Sequence, residues 1–160
     1  MEPGPLLLWP VHRFIASWFG TGLILGRLRG SDAGSGTVGS LFTFPLAWWL
    51  GSAFGWQAQL AAAIVITYLS LWSTPAFAED HADPGWIVVD EAAGTLVSII
   101  GLAFVPAVMA FVVFRIADIS KKFPGVAAAE RLPGGFGITL DDVIAGMWAL
   151  GAGWLVQSIL

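Results

Sequence analysis

The stretch GGFGITLDDVIAGMWALGAGWLVQSIL, residues 134–160, decides what kind of protein this is. From residue 143 onward it carries no charge, and it approaches the ~20 residues that cross a hydrocarbon core. Two adjacent carboxylates, Asp141 and Asp142, stand at its mouth. Thr139 followed three residues later by Asp142 has the spacing of a helix N-cap, and acidic side chains suit the positive end of a helix dipole. A cap accounts for the pair by itself, unless the other charges of the chain gather at the same place.

Composition sets the environment. Of 160 residues, 57% are hydrophobic and 11% charged, with mean hydropathy +0.80, which places the chain among membrane proteins. Nine Trp and eleven Phe against one Tyr fit apolar side chains facing lipid, with indoles anchored near the headgroups. The absence of cysteine excludes disulfides and thiolate metal sites. The net charge is −4 and the seven Lys and Arg are dispersed, which speaks against a nucleic-acid partner. No basic leader followed by a small-residue cleavage site opens the chain, so no signal peptide is expected.

Three charge-free stretches stand out, at 38–78, 92–114 and 143–160. The first is too long for one span and divides at Gly55-Trp56-Gln57 into two helices. The second permits two structures. As one helix from Ala92 to Phe114 it separates Asp90 and Glu91 from Arg115, Asp118, Lys121, Asp141 and Asp142 across the membrane. As a hairpin broken near Val105-Pro106, with arms of roughly 87–103 and 107–120, it puts every charge on one face. Proline interrupts helical hydrogen bonding, and the hairpin is the preferred form. With Lys and Arg confined to it, that face is expected to be cytoplasmic. Residues 6–26 carry Pro10, His12 and Arg13, so this segment is expected to be interfacial or re-entrant rather than spanning.

Four segments then converge on the charged face: GSGTVGS (34–40), DPGWIVVDEAAG (83–94), FRIADISKKFPG (114–125) and PGGFGITLDD (133–142). Asp90, Glu91, Asp118, Asp141 and Asp142 supply hard oxygen donors of the kind that hold Mg²⁺. Arg115 and Asp118, three apart on a helix, share a face, so a phosphate-binding cation and a carboxylate point to one place. The glycines of GSGTVGS let backbone N–H groups approach an anion at the start of a helix. Taken singly, each acid pair also fits a cap or a solvated loop, and Lys121 and Lys122 fit ordinary anchors. Glu79, Asp80 and Asp83 are expected to be loop charges, His12 interfacial, and His81 a minor metal candidate. Five carboxylates clustered at lipid depth are costly unless a cation offsets them.

These residues resemble the phosphatidylglycerophosphatase A family. The matching pieces are GTGL (20–23), GTVGSL (36–41), VDEAAG (89–94), FRIADISKKFP (114–124) and GGFGITLDDVIAG (134–146), in the family's order. Ser35 stands where the family often has Pro, Pro133 where it has His, and Lys122 where a Pro is usual. The resemblance implies a bacterial inner-membrane, Mg²⁺-dependent phosphatase that converts phosphatidylglycerophosphate to phosphatidylglycerol. By position, Asp90, Glu91, Asp118, Asp141 and Asp142 fall to catalysis and metal binding, and Gly36, Thr37, Gly39, Arg115 and Lys121 to the substrate phosphate. The chain lacks the DxDx(T/V) aspartyl-nucleophile pattern, and two His cannot supply the paired histidines of phosphohistidine lipid phosphatases. A metal-activated water is the preferred nucleophile, with attack by a carboxylate left open.

The expected protein is a single domain over residues 1–160. It is an all-α integral membrane helical bundle of about five membrane-inserted helices with an interfacial or re-entrant N-terminal segment. The rival of another class is a small cation transporter or channel subunit with a carboxylate-lined site. That rival needs polar residues along the spans, which here offer only isolated Ser and Thr.

Overall fold

The structure, a computed structural model, describes residues 8–77 and 84–160. Glu79, Asp80, His81 and Asp83 lie outside the described residues. All described regular structure is helical: α1 (Trp9–Ala16), a 3₁₀ turn (Thr21–Leu23), α2 (Ile24–Arg29), α3 (Ser35–Phe54), α4 (Trp56–Ser73), a second 3₁₀ turn (Thr74–Ala76), α5 (Val89–Ser98), α6 (Phe104–Ser120), α7 (Val126–Glu130) and α8 (Gly135–Ile159).

The long helices pack with an inverted pattern, small residues inward and large ones outward. On α3, Ser35, Gly36, Gly39, Ser40, Thr43 and Ala47 are buried, while Leu41, Phe42, Leu46 and Trp49 of the same helix are exposed. On α8 the buried face holds Gly137, Ala145, Gly146, Ala149 and Gly153, and Phe136, Met147, Trp154 and Leu155 face outward. Small side chains let backbones approach closely, which is how helices associate where water supplies no driving force. Among the described residues no helix is long and apolar enough to cross a membrane. The all-α part of the expectation is met; the insertion of about five helices is not carried by helix length and apolarity.

The chain breaks between α3 and α4 at Gly55, whose φ of +86° suits glycine, as the Gly55-Trp56-Gln57 division anticipates. The α5–α6 hairpin also forms, but its break lies earlier than Val105-Pro106, between Ser98 and Phe104. Pro106 instead sits in the first turn of α6, where its missing N–H leaves no helical bond unmade. Gly101, at φ +71°, makes the bend. Its N–H donates to Gln59 Oε1 of α4 at 2.8 Å, and its carbonyl accepts from Gln157 Nε2 of α8 at 3.3 Å. The N–H of Ala103 donates to Gln157 Oε1 at 2.6 Å. Two glutamines thus pair part of the hairpin tip's backbone.

Helix α5 is short and almost wholly buried among α3, α4 and α8. It runs parallel to α8, both leaving the charged end of the bundle. The two touch backbone to backbone: a Cβ at Gly94 would lie 2.7 Å from the Asp142 carbonyl oxygen, and one at Gly146 would lie 2.6 Å from the Gly94 carbonyl oxygen. The described part of the N-terminal segment forms only short helices. It lies against the loop before α5, where the N–H of Val88 donates to the Ala16 carbonyl at 2.9 Å. Gly22 packs onto the Trp86 carbonyl with no room for a side chain.

Candidate active site

One turn before the crossing on each parallel helix stands an aspartate: Asp90 four residues before Gly94, Asp142 four residues before Gly146. Because residues four apart share a helix face, the close approach of α5 and α8 brings these two acids together. Oxygens of Asp90, Glu91 and Asp142 lie within 4.8 Å of one another, an arrangement able to hold a metal ion. Asp90 is 3% exposed and Asp142 2%. The Oδ2 of Asp142 is buried with no hydrogen-bond partner among the described residues. A buried carboxylate oxygen without a donor, beside two further carboxylates, is costly unless a cation compensates it. The donor set is hard oxygen, as Mg²⁺ prefers. The three residues fit such an ion.

The cap explanation for Asp141 and Asp142 does not survive. Helix α8 starts at Gly135, so the pair lies inside it, and the N-cap position belongs to Gly134. Thr139 is also inside, fully buried, with its hydroxyl 2.7 Å from that of Ser70 on α4. The two carboxylates therefore diverge around one helix turn. Asp142 joins Asp90 and Glu91, while Asp141 turns to Lys121 at 2.5 Å.

Asp118 and Asp141 have partners of their own. Asp118 Oδ2 pairs with Arg115 Nη1 at 2.7 Å, and its Oδ1 with Lys121 Nζ at 2.9 Å. Lys121 also lies 3.8 Å from Asp142 Oδ1, which links the row to the acid trio. Lys121 caps α6 in a left-handed conformation, φ +53°, and this turns its ammonium back over the helix end. Burial disfavours that charge, but Asp142, Asp118 and Asp141 outweigh it and hold the pKa well above the ordinary lysine value. Arg115 is steadied from α3, donating to Ser40 Oγ at 3.1 Å and Thr37 Oγ1 at 3.3 Å.

The glycines of GSGTVGS do different work from that expected of an open loop. Helix α3 begins at Ser35, so Gly36, Thr37 and Gly39 are already helical. A Cβ at Gly36 would overlap the Glu91 carboxylate, and one at Gly39 would come 2.8 Å from Val88 Cβ. Both are places where α3 closes on the segment carrying Asp90 and Glu91. All ten expected site residues thus stand at one end of the bundle. Sequence reasoning missed Ser40 and the Gly94–Gly146 crossing. The signal was present: DEAAG (90–94) and DVIAG (142–146) share the pattern Asp-x-x-Ala-Gly.

A family model described as phosphatidylglycerophosphatase A matches residues 14–157, a range that includes all of these groups. The chain belongs to the phosphatidylglycerophosphatase A family. A relative from Haemophilus influenzae named phosphatidylglycerophosphatase A is 35% identical over 149 residues, covering 90% of this chain and 86% of the relative. A relative of the same name from Escherichia coli is 32% identical over 149 residues, covering 89% and 80%. No solved structure is significantly similar. The acid trio and the Arg115–Asp118–Lys121–Asp141 row both fall inside the matched range.

Proposed function

We propose that the chain hydrolyses the terminal phosphomonoester of phosphatidylglycerophosphate, giving phosphatidylglycerol and phosphate, at the charged end of the bundle. The reading is carried by the adjacency of the Asp90–Glu91–Asp142 trio to two cations, Arg115 and Lys121. Asp90, Glu91 and Asp142 would hold Mg²⁺, which when bound supplies Lewis-acid neutralisation of the phosphate. Arg115, held by Thr37 and Ser40, and Lys121, held by Asp118 and Asp141, fix positive charge beside that place before substrate arrives. Charge so preorganised stabilises a phosphoryl group in transfer without reorganisation during the reaction. Asp118 and Asp141 act on this reading through the cations they orient.

The same proposal places the bundle in the bacterial inner membrane with this end facing the cytoplasm. Support comes from the outward Leu, Phe, Trp and Met of α3, α4, α6 and α8, since an apolar surface of that extent is not left to water. Among the described residues no single helix is a full span, so local thinning of the bilayer absorbs the shortfall. Arg13, Arg27, Arg29, Arg115, Lys121, Lys122 and Arg131 all belong to segments at the site end, which supports the orientation. The test is phosphate release from phosphatidylglycerophosphate by the purified chain in lipid vesicles. Release that stops in EDTA and resumes with Mg²⁺ supports the proposal. Equal release in EDTA removes the metal, and no release removes the activity.

A further inference from the structure

A groove of about 690 Å³ runs between α6 and α8, lined by Val113, Phe123, Ile144, Met147, Gly151 and Leu155, with Trp148 along its side. Three of its walls begin two residues from a charged group of the site: Val113 before Arg115, Ile144 after Asp142, Phe123 after Lys121. On α8, Ile144, Met147, Trp148, Gly151 and Leu155 follow the spacing of a single helix face, and Asp141 lies two turns before Trp148 on that same face. The groove is thus the apolar continuation of the stripe that ends in Asp141 and Lys121. From Ile144 to Leu155 it extends ~16 Å along the helix, about half of the ~30 Å hydrocarbon thickness and so the depth of one leaflet. Gly151 leaves its floor open, for a Cβ there meets nothing within 4 Å. The indole of Trp148 donates to the Pro124 carbonyl at 3.0 Å, which fixes the wall to the turn after Lys121.

We propose that this groove seats one acyl chain of a lipid phosphomonoester whose phosphate lies at Arg115 and Lys121. The inference rests on the phosphatase reading for its headgroup and on the α6–α8 geometry for its tail. A lipid bound this way keeps its chain at bilayer depth while its phosphate meets the charged row. Recognition then comes from two places at once, an apolar slot and a cationic end, which ordinary bilayer lipids with a zwitterionic headgroup do not satisfy together.

The test uses the full chain in vesicles and reads binding without turnover. A phosphatidic acid carrying a diazirine midway along one chain is photolysed beside a phosphatidylcholine with the same chain, and labelled residues are located by mass spectrometry. Phosphatidic acid is expected to label residues 147–155 at least about fivefold more than phosphatidylcholine. Gly151→Phe, which fills the floor, is expected to abolish that excess, whereas Ile64→Phe on the exposed face of α4 preserves it. Equal labelling by the two lipids makes the groove ordinary lipid contact and overturns the proposal, as does labelling by neither. Phosphate release by the same sample is measured separately. Release without selective labelling sinks the groove alone, and selective labelling without release sinks only the hydrolysis.

Discussion

Gly36 of α3 and the carboxylate of Glu91 on α5 adjoin so closely that a side chain at position 36 would occupy the place of the carboxylate. The glycine thus sets where one of the three clustered acids stands. Alanine is favoured over glycine in a helix interior by ~1 kcal/mol, so Gly36→Ala pits helix propensity against this overlap. Loss of phosphate release by about tenfold or more, ~1.4 kcal/mol in the barrier, with the chain still folded, is the expected outcome. Parental activity in Gly36→Ala would show that Glu91 can move without consequence.

The Asp90–Glu91–Asp142 trio predicts opposite effects on stability and on metal response. Three acids within 4.8 Å repel one another when no cation is bound. Asp90→Asn removes part of that repulsion and should melt at or above the parental temperature in EDTA. Added Mg²⁺ should raise the parental melting temperature and leave that of the variant unmoved, because only a protein that binds the ion gains from it. Thermal scans in detergent with and without Mg²⁺ decide this, and an equal rise in both proteins excludes Asp90 as a ligand.

Lys121 sits among Asp118, Asp141 and Asp142. Replacing it by Met leaves buried acceptors without their donor and should cost about 1–3 kcal/mol. The folded pKa of Lys121 lies above its ordinary value of 10.5. Its stabilisation is therefore fully present below that value and is lost only as pH rises beyond it. The difference in melting temperature between parent and Lys121→Met should stay constant from neutral pH to about 10 and narrow above. A difference that already closes by pH 8 would contradict the charged contact.

Gly146 touches the Gly94 carbonyl where α5 meets α8. Gly146→Val should force the helices apart, cost about 1–3 kcal/mol as overpacking does, and abolish activity although residue 146 touches no charged group. Gly26→Val on α2, where an added Cβ meets nothing within 4 Å, is the matched control. A Gly146→Val protein with parental activity would separate the crossing from the assembly of the acids.

The charged end was legible in the sequence because it depends on which residues exist and which side of each apolar run they flank. Asp90, Glu91, Arg115, Asp118, Lys121, Asp141 and Asp142 needed no more than that. The α3–α4 break was legible because Gly55 marks it locally. The hairpin tip was not, because its backbone is paired by Gln59 and Gln157 from helices distant in sequence. Pro106 looked like the break since proline's cost is easily seen, but that cost vanishes in a first turn. The start of α8 was misplaced for a related reason. Thr139 has the side chain of a cap, and only the packed structure commits its hydroxyl to Ser70. Gly36 and Gly39 looked like an anion-binding loop because composition does not distinguish glycine that frees backbone from glycine that makes room for a neighbour.

Asp142, through the trio it completes, is proposed to serve catalysis and not the start of a helix. Phosphate release from phosphatidylglycerophosphate by Asp142→Asn, measured in vesicles at saturating Mg²⁺ beside the parent, tests it most directly. Asn keeps the shape and the capping ability of Asp, so a structural role alone is nearly preserved. The expected result is a folded protein whose kcat falls by at least about a hundredfold, ~2.7 kcal/mol in the barrier. Turnover within about tenfold of the parent would contradict it.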